Sequence, residues 1–344
     1  MWRKIKNLTL CALLVAMLIL LLINSKSVNA GALKGLTICA EIIIPSLFIF
    51  SVVGIFLVSS NCLSSFNKFL TPFTKFVFGL SGDLFFVFLV SLFSGYPVGA
   101  KLIDNSVKNK KIDENAANTM LCYCVNAGPA FIVLAVGEKV FLSKNLGYIL
   151  LLSHILTSLL FAVFLKGKIK NKSSIQKNNE QNLGDTFVSS VSEATSSIIG
   201  ICAFVVLFSV IGEVLKEYNL TSILPFFEIT TGIISSKNLY FTAFLLGFGG
   251  ISVQLQVLSV IKNFKVNKIK FIASRILHGG ISTVITFLII KILKLTIPVL
   301  SNNRTFSSSA SSLTLSASVC FICSDVVLVS SLKTKKTAIK KIGS

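Results

Sequence analysis

Long apolar runs constrain the fold of this chain more than any other feature of its sequence. They cover residues 8–23, 35–59, 84–93, 116–137, 146–165, 193–212, 239–259, 271–290 and 316–332. Most of them approach a length of about 20 residues, which a helix needs to cross a bilayer. The runs are continuous rather than alternating, so they do not suit the strands of a membrane barrel. The sequence therefore predicts an all-α, polytopic helical membrane protein.

Composition agrees with this fold class. Hydrophobic residues make up 53% of the 344 residues and charged residues 13%, whereas soluble domains carry about 25% charged residues. The net charge of +20 lies mostly in loops and tails such as residues 166–177 and 333–341. Cytoplasmic loops that face anionic lipid have this composition. The lipid bilayer is the expected partner, and nucleic acid is not, because no basic and aromatic domain lies outside the apolar runs.

The most informative interruption is the string SGYPVGAK at residues 94–101. Glycine loosens a helix, and proline removes a donor and clashes with the preceding turn. At membrane depth such a break is tolerated only where the backbone is buried in protein or lines a wet cavity. We therefore predict a broken helix or hairpin tip that binds a solute through Gly95, Tyr96, Pro97, Gly99 and Lys101. The alternative is an ordinary helix end, with the lysine reaching to the membrane interface.

A second glycine string, LGFGGISVQ at residues 246–254, follows another apolar run in the other half of the chain. It adds Gly249, Gly250, Ser252 and Gln254 to the candidate solute-binding residues. Interrupted apolar segments at corresponding positions of two halves point to the binding site of a transporter. Matched features are separated by about 151 to 154 positions, which indicates an internal duplication.

This duplication divides the chain into five parts. An N-terminal helix or signal-like segment (1–30) precedes a first repeat (31–168), a polar lysine-rich linker (169–185), a second repeat (186–333) and a basic tail (334–344). The first segment has a basic flank and small residues that resemble a cleavable signal, but a retained helix with its N-terminus inside is favoured. An inverted repeat makes residues 84–100 and 239–259 both re-entrant and separates the basic residues 108–111 and 262–270 by the membrane. The preference of lysine and arginine for cytoplasmic loops, taken alone, predicts instead that residues 239–259 span the membrane.

Polar residues inside other apolar runs complete the candidate site. Asn126 and Gly128 interrupt one run, and Arg275 and His278 lie one helical turn apart in another. The guanidinium fork of arginine matches a carboxylate, so Arg275 and Lys101 together suit a small anionic solute near the bilayer centre. The alternative is that Arg275 pairs with an acidic residue as structural support; Glu41, Glu193 and Asp325 are the candidates.

The intramembrane carboxylates of Glu41 and Glu193 are themselves functional candidates, because a buried charge is costly unless it is used. Glu41 has a second interpretation as an interfacial residue near a helix start. Seven of the eight cysteines lie in or beside apolar runs and are predicted to be packing residues. No nucleotide loop, nucleophile elbow or zinc-protease motif occurs in the sequence. We therefore expect no enzyme activity, cofactor or metal.

Four strings resemble a known family, the YlbJ-type sporulation integral membrane proteins: EIIIPSL (41–47), SGYPVGAK (94–101), NAGPAFI (126–132) and GISVQ (250–254). That family belongs to the wider nucleoside-recognition or Gate-domain group, which is similar to concentrative nucleoside transporters. The resemblance covers residues 31–332 and implies a multi-pass carrier in the cell membrane or outer forespore membrane of spore-forming bacteria. It implies dipicolinate transport into the forespore, and homo-oligomers or other sporulation membrane proteins as partners. A carrier for nucleosides or other solutes, and a non-transporting scaffold, are the alternatives.

Overall fold

The computed structural model describes residues 2–60, 64–166 and 182–294, and every regular element within these ranges is helical. The α-helices are α1 (Trp2–Ile23), α2 (Ser25–Ile38), α3 (Ile44–Ser59), α4 (Ser64–Phe78), α5 (Gly82–Ser94), α6 (Tyr96–Lys108), α7 (Glu114–Met120), α8 (Lys144–Phe164), α9 (Leu183–Glu217), α10 (Leu224–Phe227), α11 (Ile229–Ser236), α12 (Leu239–Phe248), α13 (Gly250–Val260) and α14 (Lys268–Ile292). Two π-helices, Cys39–Ile43 and Phe131–Val140, and a short 3₁₀ helix, Thr221–Ile223, complete the set. The predicted last run at 316–332, the basic tail and most of the linker at 169–185 lie outside the described residues.

Five helical units of the described chain are long and apolar enough to cross a membrane. They are Ser25–Ser59, Lys144–Phe164, Leu183–Glu217, Leu239–Val260 and Lys268–Ile292. A sixth candidate combines Phe69–Phe78 with Gly82–Ser94, which are bent by 71° relative to each other. The predicted class, an all-helical and multi-pass membrane protein, is confirmed. The second run begins earlier than predicted, because the helix that contains it starts at Ser25 rather than near residue 35.

The first glycine string forms a helical hairpin, in agreement with the prediction of a broken helix or hairpin tip. Helices α5 and α6 meet at Gly95, whose φ of +86° is open to glycine but strained for other residues. Lys111, which follows α6, has its Nζ 3.8 Å from Oδ2 of Asp83, in the first turn of α5. The start of α5 and the end of α6 therefore lie at the same end of the helix bundle, and the tip at Gly95 lies inside it.

The second glycine string also breaks its helix, but the chain continues across the bundle. Gly249 and Gly250 have φ values of +81° and +71° between α12 and α13. Near the start of α12, the Tyr240 carbonyl accepts a hydrogen bond from Thr283 Oγ1, late in α14. After α13, Lys270 Nζ donates to Thr119 Oγ1 at 2.8 Å, close to the start of α14. The segment 239–260 thus begins beside the second half of α14 and ends at the loop that leads into the start of α14.

These contacts place the two basic loops, residues 108–111 and 262–270, at one end of the bundle, which we call the basic end. Asn118 Nδ2 donates to the Lys265 carbonyl at 3.0 Å, and Asn267 N–H donates to Asn118 Oδ1 at 2.7 Å. This placement contradicts the prediction that the membrane separates the two loops, and the internal repeat is not confirmed. Helix α14 is continuous through residues 275–280, whereas residues 121–128 are unwound.

Candidate functional site

Two neighbouring cavities lie around the tip of the hairpin. The central cavity, of about 30 Å³, is lined by residues that include Gly95, Tyr96, Gly128 and Glu228. The outer cavity, of about 210 Å³, lies between α6, α9 and α13 and includes Lys101 and Lys262, at the basic end. The two cavities share three lining residues, which are Pro97, Ile201 and Gln256. They therefore form two successive compartments on the way from the basic end to the centre of the bundle.

The hairpin tip is held between the two halves of the chain. Tyr96 Oη donates to the Leu246 carbonyl at 2.8 Å, so the first glycine break contacts the helix that leads into the second. On the other side, a Cβ added to Gly99 would lie 1.9 Å from the Cys124 carbonyl oxygen. Only glycine allows α6 to approach the unwound segment 121–128 this closely. The first glycine break therefore contacts both the second glycine string and the unwound segment.

Lys101 supplies one of the two positive charges of the outer cavity and is paired with Glu193. Its Nζ lies 3.4 Å from Glu193 Oε2 and donates to the Glu193 carbonyl at 3.3 Å. Two predicted site residues, one on α6 and one on α9, are therefore paired with each other. Lys262 forms no ion pair within the described residues, and its side chain is exposed. Its backbone position is fixed, because the Asp104 carboxylate accepts from the Lys262 and Asn263 N–H groups at 3.0 and 2.7 Å.

Hydroxyl and amide groups surround these two lysines. Ser196, Ser197, Ser259 and Gln256 line the outer cavity. Gln256 donates to the predicted site residue Ser252 at 3.1 Å, within α13. The amide of Gln254, another predicted site residue, is buried, and its Nε2 has no hydrogen-bond partner among the residues that the structure describes. The outer cavity thus combines two cations with several neutral donors, which is a donor set that suits an anion.

Glu228 is the functional candidate that sequence reasoning missed. Its side chain is only 2% exposed and lines the central cavity. Its two oxygens accept hydrogen bonds from the Thr230 and Thr231 N–H groups, at 2.9 and 2.6 Å, so it caps the N-terminus of α11. The sequence did contain a signal for it: Glu228 shortly precedes two threonines in an apolar stretch, and acidic residues are favoured at the start of a helix.

Arg275 faces the unwound segment rather than either cavity. It is 1% exposed, and its two terminal nitrogens donate to the carbonyls of Val125, at 2.5 Å, and Cys122. These are backbone acceptors that the unwinding of residues 121–128 leaves without helical partners. Arg275 contacts neither Glu41 nor Glu193, and Asp325 lies outside the described residues. The predicted placement of Arg275 beside Lys101 in one solute site is not what the structure shows.

A buried polar network holds the same unwound segment from α8 and α14. His154 Nε2 accepts from the Ala127 N–H at 3.1 Å, as expected of a packing histidine. Ser158 Oγ donates to Asn126 Oδ1 at 2.6 Å and lies 3.0 Å from His278 Nε2. The predicted site residues Asn126 and His278 therefore position the segment that carries Gly128 to the central cavity.

Glu41 lies in the π-helical turn Cys39–Ile43, with its side chain half-buried. Its carbonyl oxygen accepts from Lys139 Nζ at 3.2 Å. Neither cavity described above includes it. Within the described residues, no group of three or more histidine, cysteine and acidic side chains is arranged to hold a metal.

The helical bundle, with its candidate spans and its buried hairpin, defines a multi-pass integral membrane protein. The chain is similar to the sporulation integral membrane protein YlbJ of Bacillus subtilis (strain 168), with 24% identity over 75% of this chain and 76% of that protein. This comparison confirms the predicted resemblance to the YlbJ-type sporulation integral membrane proteins. The finer relationship to the nucleoside-recognition group stays a prediction. No family model matches the chain, and no solved structure matches it.

Proposed function

We propose that this protein is a carrier or facilitator for a small organic anion rather than an enzyme, and that dipicolinate is its solute during sporulation. The observation that supports the proposal is the outer cavity, where Lys101 and Lys262 meet serine and glutamine donors beside a broken helix. Pockets for drug-sized ligands usually exceed about 300 Å³. A cavity of about 210 Å³ suits a smaller solute, such as a single ring with carboxylates.

Transport also needs a path that opens and closes. The central cavity, of about 30 Å³, has room for little more than a water molecule, so a solute cannot pass while the hairpin tip stays in place. The hydrogen bond between Tyr96 and the Leu246 carbonyl holds that tip. We infer that the tip moves away from α12 when the solute leaves the outer cavity. The driving force is a gradient or a partner protein, and the location is the outer forespore membrane.

The proposal is tested by uptake into vesicles that contain the purified protein. We expect uptake of labelled dipicolinate above empty vesicles, and a loss of about tenfold or more in Lys101→Gln, because a hydrogen bond to a charged group contributes about 1.5–3 kcal/mol. Lys144→Gln is the matched control, because Lys144 lies at the start of α8, at the end of the bundle opposite the basic end. It pairs with Glu138 there and is 57% exposed. Equal uptake by Lys101→Gln and the unchanged protein would contradict the anion site.

A nucleoside or another neutral polar solute is a second candidate, and polar side chains beside the central cavity favour it once the hairpin tip has moved. Glu228 and Gln256 both line this cavity and could accept or donate hydrogen bonds to hydroxyl and amide groups. Uridine is the appropriate competitor in the same vesicles. Uridine uptake that depends on Glu228 and is unaffected by Lys101→Gln would favour the neutral solute. Absence of any solute uptake would favour a non-transporting scaffold of sporulation membrane proteins.

A further inference from the structure

We propose that Glu193 is an internal counter-ion that occupies the place of the solute carboxylate and must leave Lys101 before the solute binds. The proposal rests on the anion-carrier function above and adds a mechanism of regulation to the same site. Glu193 lies on α9, and Lys101 lies on the second arm of the hairpin, α6. Exchange of one carboxylate for another at Lys101 would therefore couple solute binding to the contact between the hairpin and α9.

The geometry of the pair favours exchange. A lysine ammonium and a carboxylate in a strong, charge-assisted hydrogen bond are about 2.7–2.9 Å apart, whereas Lys101 Nζ and Glu193 Oε2 are 3.4 Å apart. The same oxygen of Glu193 has no hydrogen-bond partner among the described residues. The carboxylate of a solute could approach Lys101 more closely than Glu193 does.

Lys101 would keep its position after Glu193 leaves. Its Nζ also donates to the backbone carbonyl of Glu193 at 3.3 Å, and this carbonyl belongs to the rigid α9 helix. Ser197 Oγ donates to the same carbonyl at 2.9 Å, which adds a second hydrogen bond at that point. The glutamate side chain can therefore rotate away while the lysine remains aimed into the outer cavity.

Another glutamate of α9 provides a matched comparison. Glu213 is held by two lysines, with its Oε1 at 2.9 Å from Lys34 Nζ and 2.7 Å from Lys216 Nζ. It does not line either of the two cavities. A carboxylate that is held at normal distances by two cations is a structural tie between α2 and α9, whereas Glu193 is a single and loosely held partner next to a cavity. Glu213→Gln is therefore the control for Glu193→Gln.

The experiment measures equilibrium binding of dipicolinate to the full-length purified protein by calorimetry, with the unchanged protein and three variants. Glu193→Gln should tighten binding by roughly two- to fivefold, which is the size of effect that a partly exposed ion pair produces. Lys101→Gln should weaken binding by about tenfold or more. Glu213→Gln should leave binding unchanged. Elution volume and thermal stability show whether each variant is folded.

The outcomes separate this inference from the proposed function. If the unchanged protein binds dipicolinate and Glu193→Gln weakens binding or leaves it unaltered, the counter-ion role is overturned, while the carrier function stands. Weaker binding would mean that Glu193 serves to position Lys101. If the folded, unchanged protein does not bind dipicolinate, both the proposed solute and the exchange mechanism are overturned.

Discussion

The two glycine breaks look alike in sequence, but one turns the chain back and the other lets it continue. At Gly95 the chain reverses, and Lys111 returns to Asp83 at the end where the hairpin began. At Gly249 and Gly250 the chain is distorted, but α12 and α13 together make one candidate span, Leu239–Val260. A glycine string therefore fixes where a helix breaks and leaves the direction of the next helix to other residues.

The difference lies in the first arms, α5 and α12, because the second arms, α6 and α13, both end at the basic end. Helix α6 carries Lys101, Asp104 and Lys108, whereas α13 has amide and hydroxyl side chains but no charged residue. Charged side chains are costly at the centre of a bilayer and are placed towards its surface or in wet cavities. The charged arm therefore returns to the basic end, where Asp104 binds the loop after α13. Helix α13 ends there as well, and the second segment crosses the bundle because α12 begins at the other end, beside the second half of α14.

The largest expected effect follows from the close approach of the hairpin to the unwound segment. In Gly99→Leu, the new Cβ would lie 1.9 Å from the Cys124 carbonyl oxygen. A small shift of the backbone cannot relieve a steric clash of this size. We expect little folded protein in membranes, as measured by the monodisperse fraction after extraction. Gly280→Leu is the control, since a Cβ there has no neighbour within 4 Å. Equal yields of the two variants would show that the hairpin does not pack as described.

Loss of Arg275 should have the next largest effect, on stability rather than on solute affinity. Arg275→Gln removes two buried hydrogen bonds to the Val125 and Cys122 carbonyls. Each hydrogen bond from a charged group contributes about 1.5–3 kcal/mol, so we expect a clear fall in thermal stability. Arg275→Lys should not restore it, because the lysine ammonium lacks the planar fork. A variant of normal stability with weakened dipicolinate binding would instead restore Arg275 to the solute site.

A smaller effect is expected from bulk at the breaks themselves. Gly95→Leu and Gly250→Leu place a side chain at positive φ, which costs on the order of 1–3 kcal/mol. We expect both proteins to accumulate in membranes and to lose uptake. The space around the two sites differs: a Cβ at Gly95 meets only the flexible Leu47 side chain, at 3.2 Å, whereas one at Gly250 meets the Phe226 and Phe227 carbonyls, at 3.3 Å. Gly250→Leu should therefore reduce stability more, and the reverse order would contradict this comparison.

Local sequence patterns predicted most of what depends on single segments. The apolar runs indicated the membrane class, and the glycine strings indicated both breaks, because backbone freedom and hydropathy are properties of short stretches. The pairing of distant segments was harder to predict. The duplication suggested an inverted arrangement, but the contact of Asn118 with the loop after α13 depends on how separate helices pack. The acceptors of Arg275 were unpredictable for the same reason, since they are backbone carbonyls freed by unwinding 150 positions away.

The central claim is that the first break makes a hairpin, whereas the second interrupts a span. Its most direct test is whether the two basic loops, residues 108–111 and 262–270, lie on the same side of the membrane. Single cysteines at Lys108, Lys265 and Lys144, in a protein whose eight native cysteines are replaced, can be labelled from either side of sealed vesicles. We predict that Lys108→Cys and Lys265→Cys react from the same side and that Lys144→Cys reacts from the other. Reaction of Lys108→Cys and Lys265→Cys from opposite sides would contradict the account.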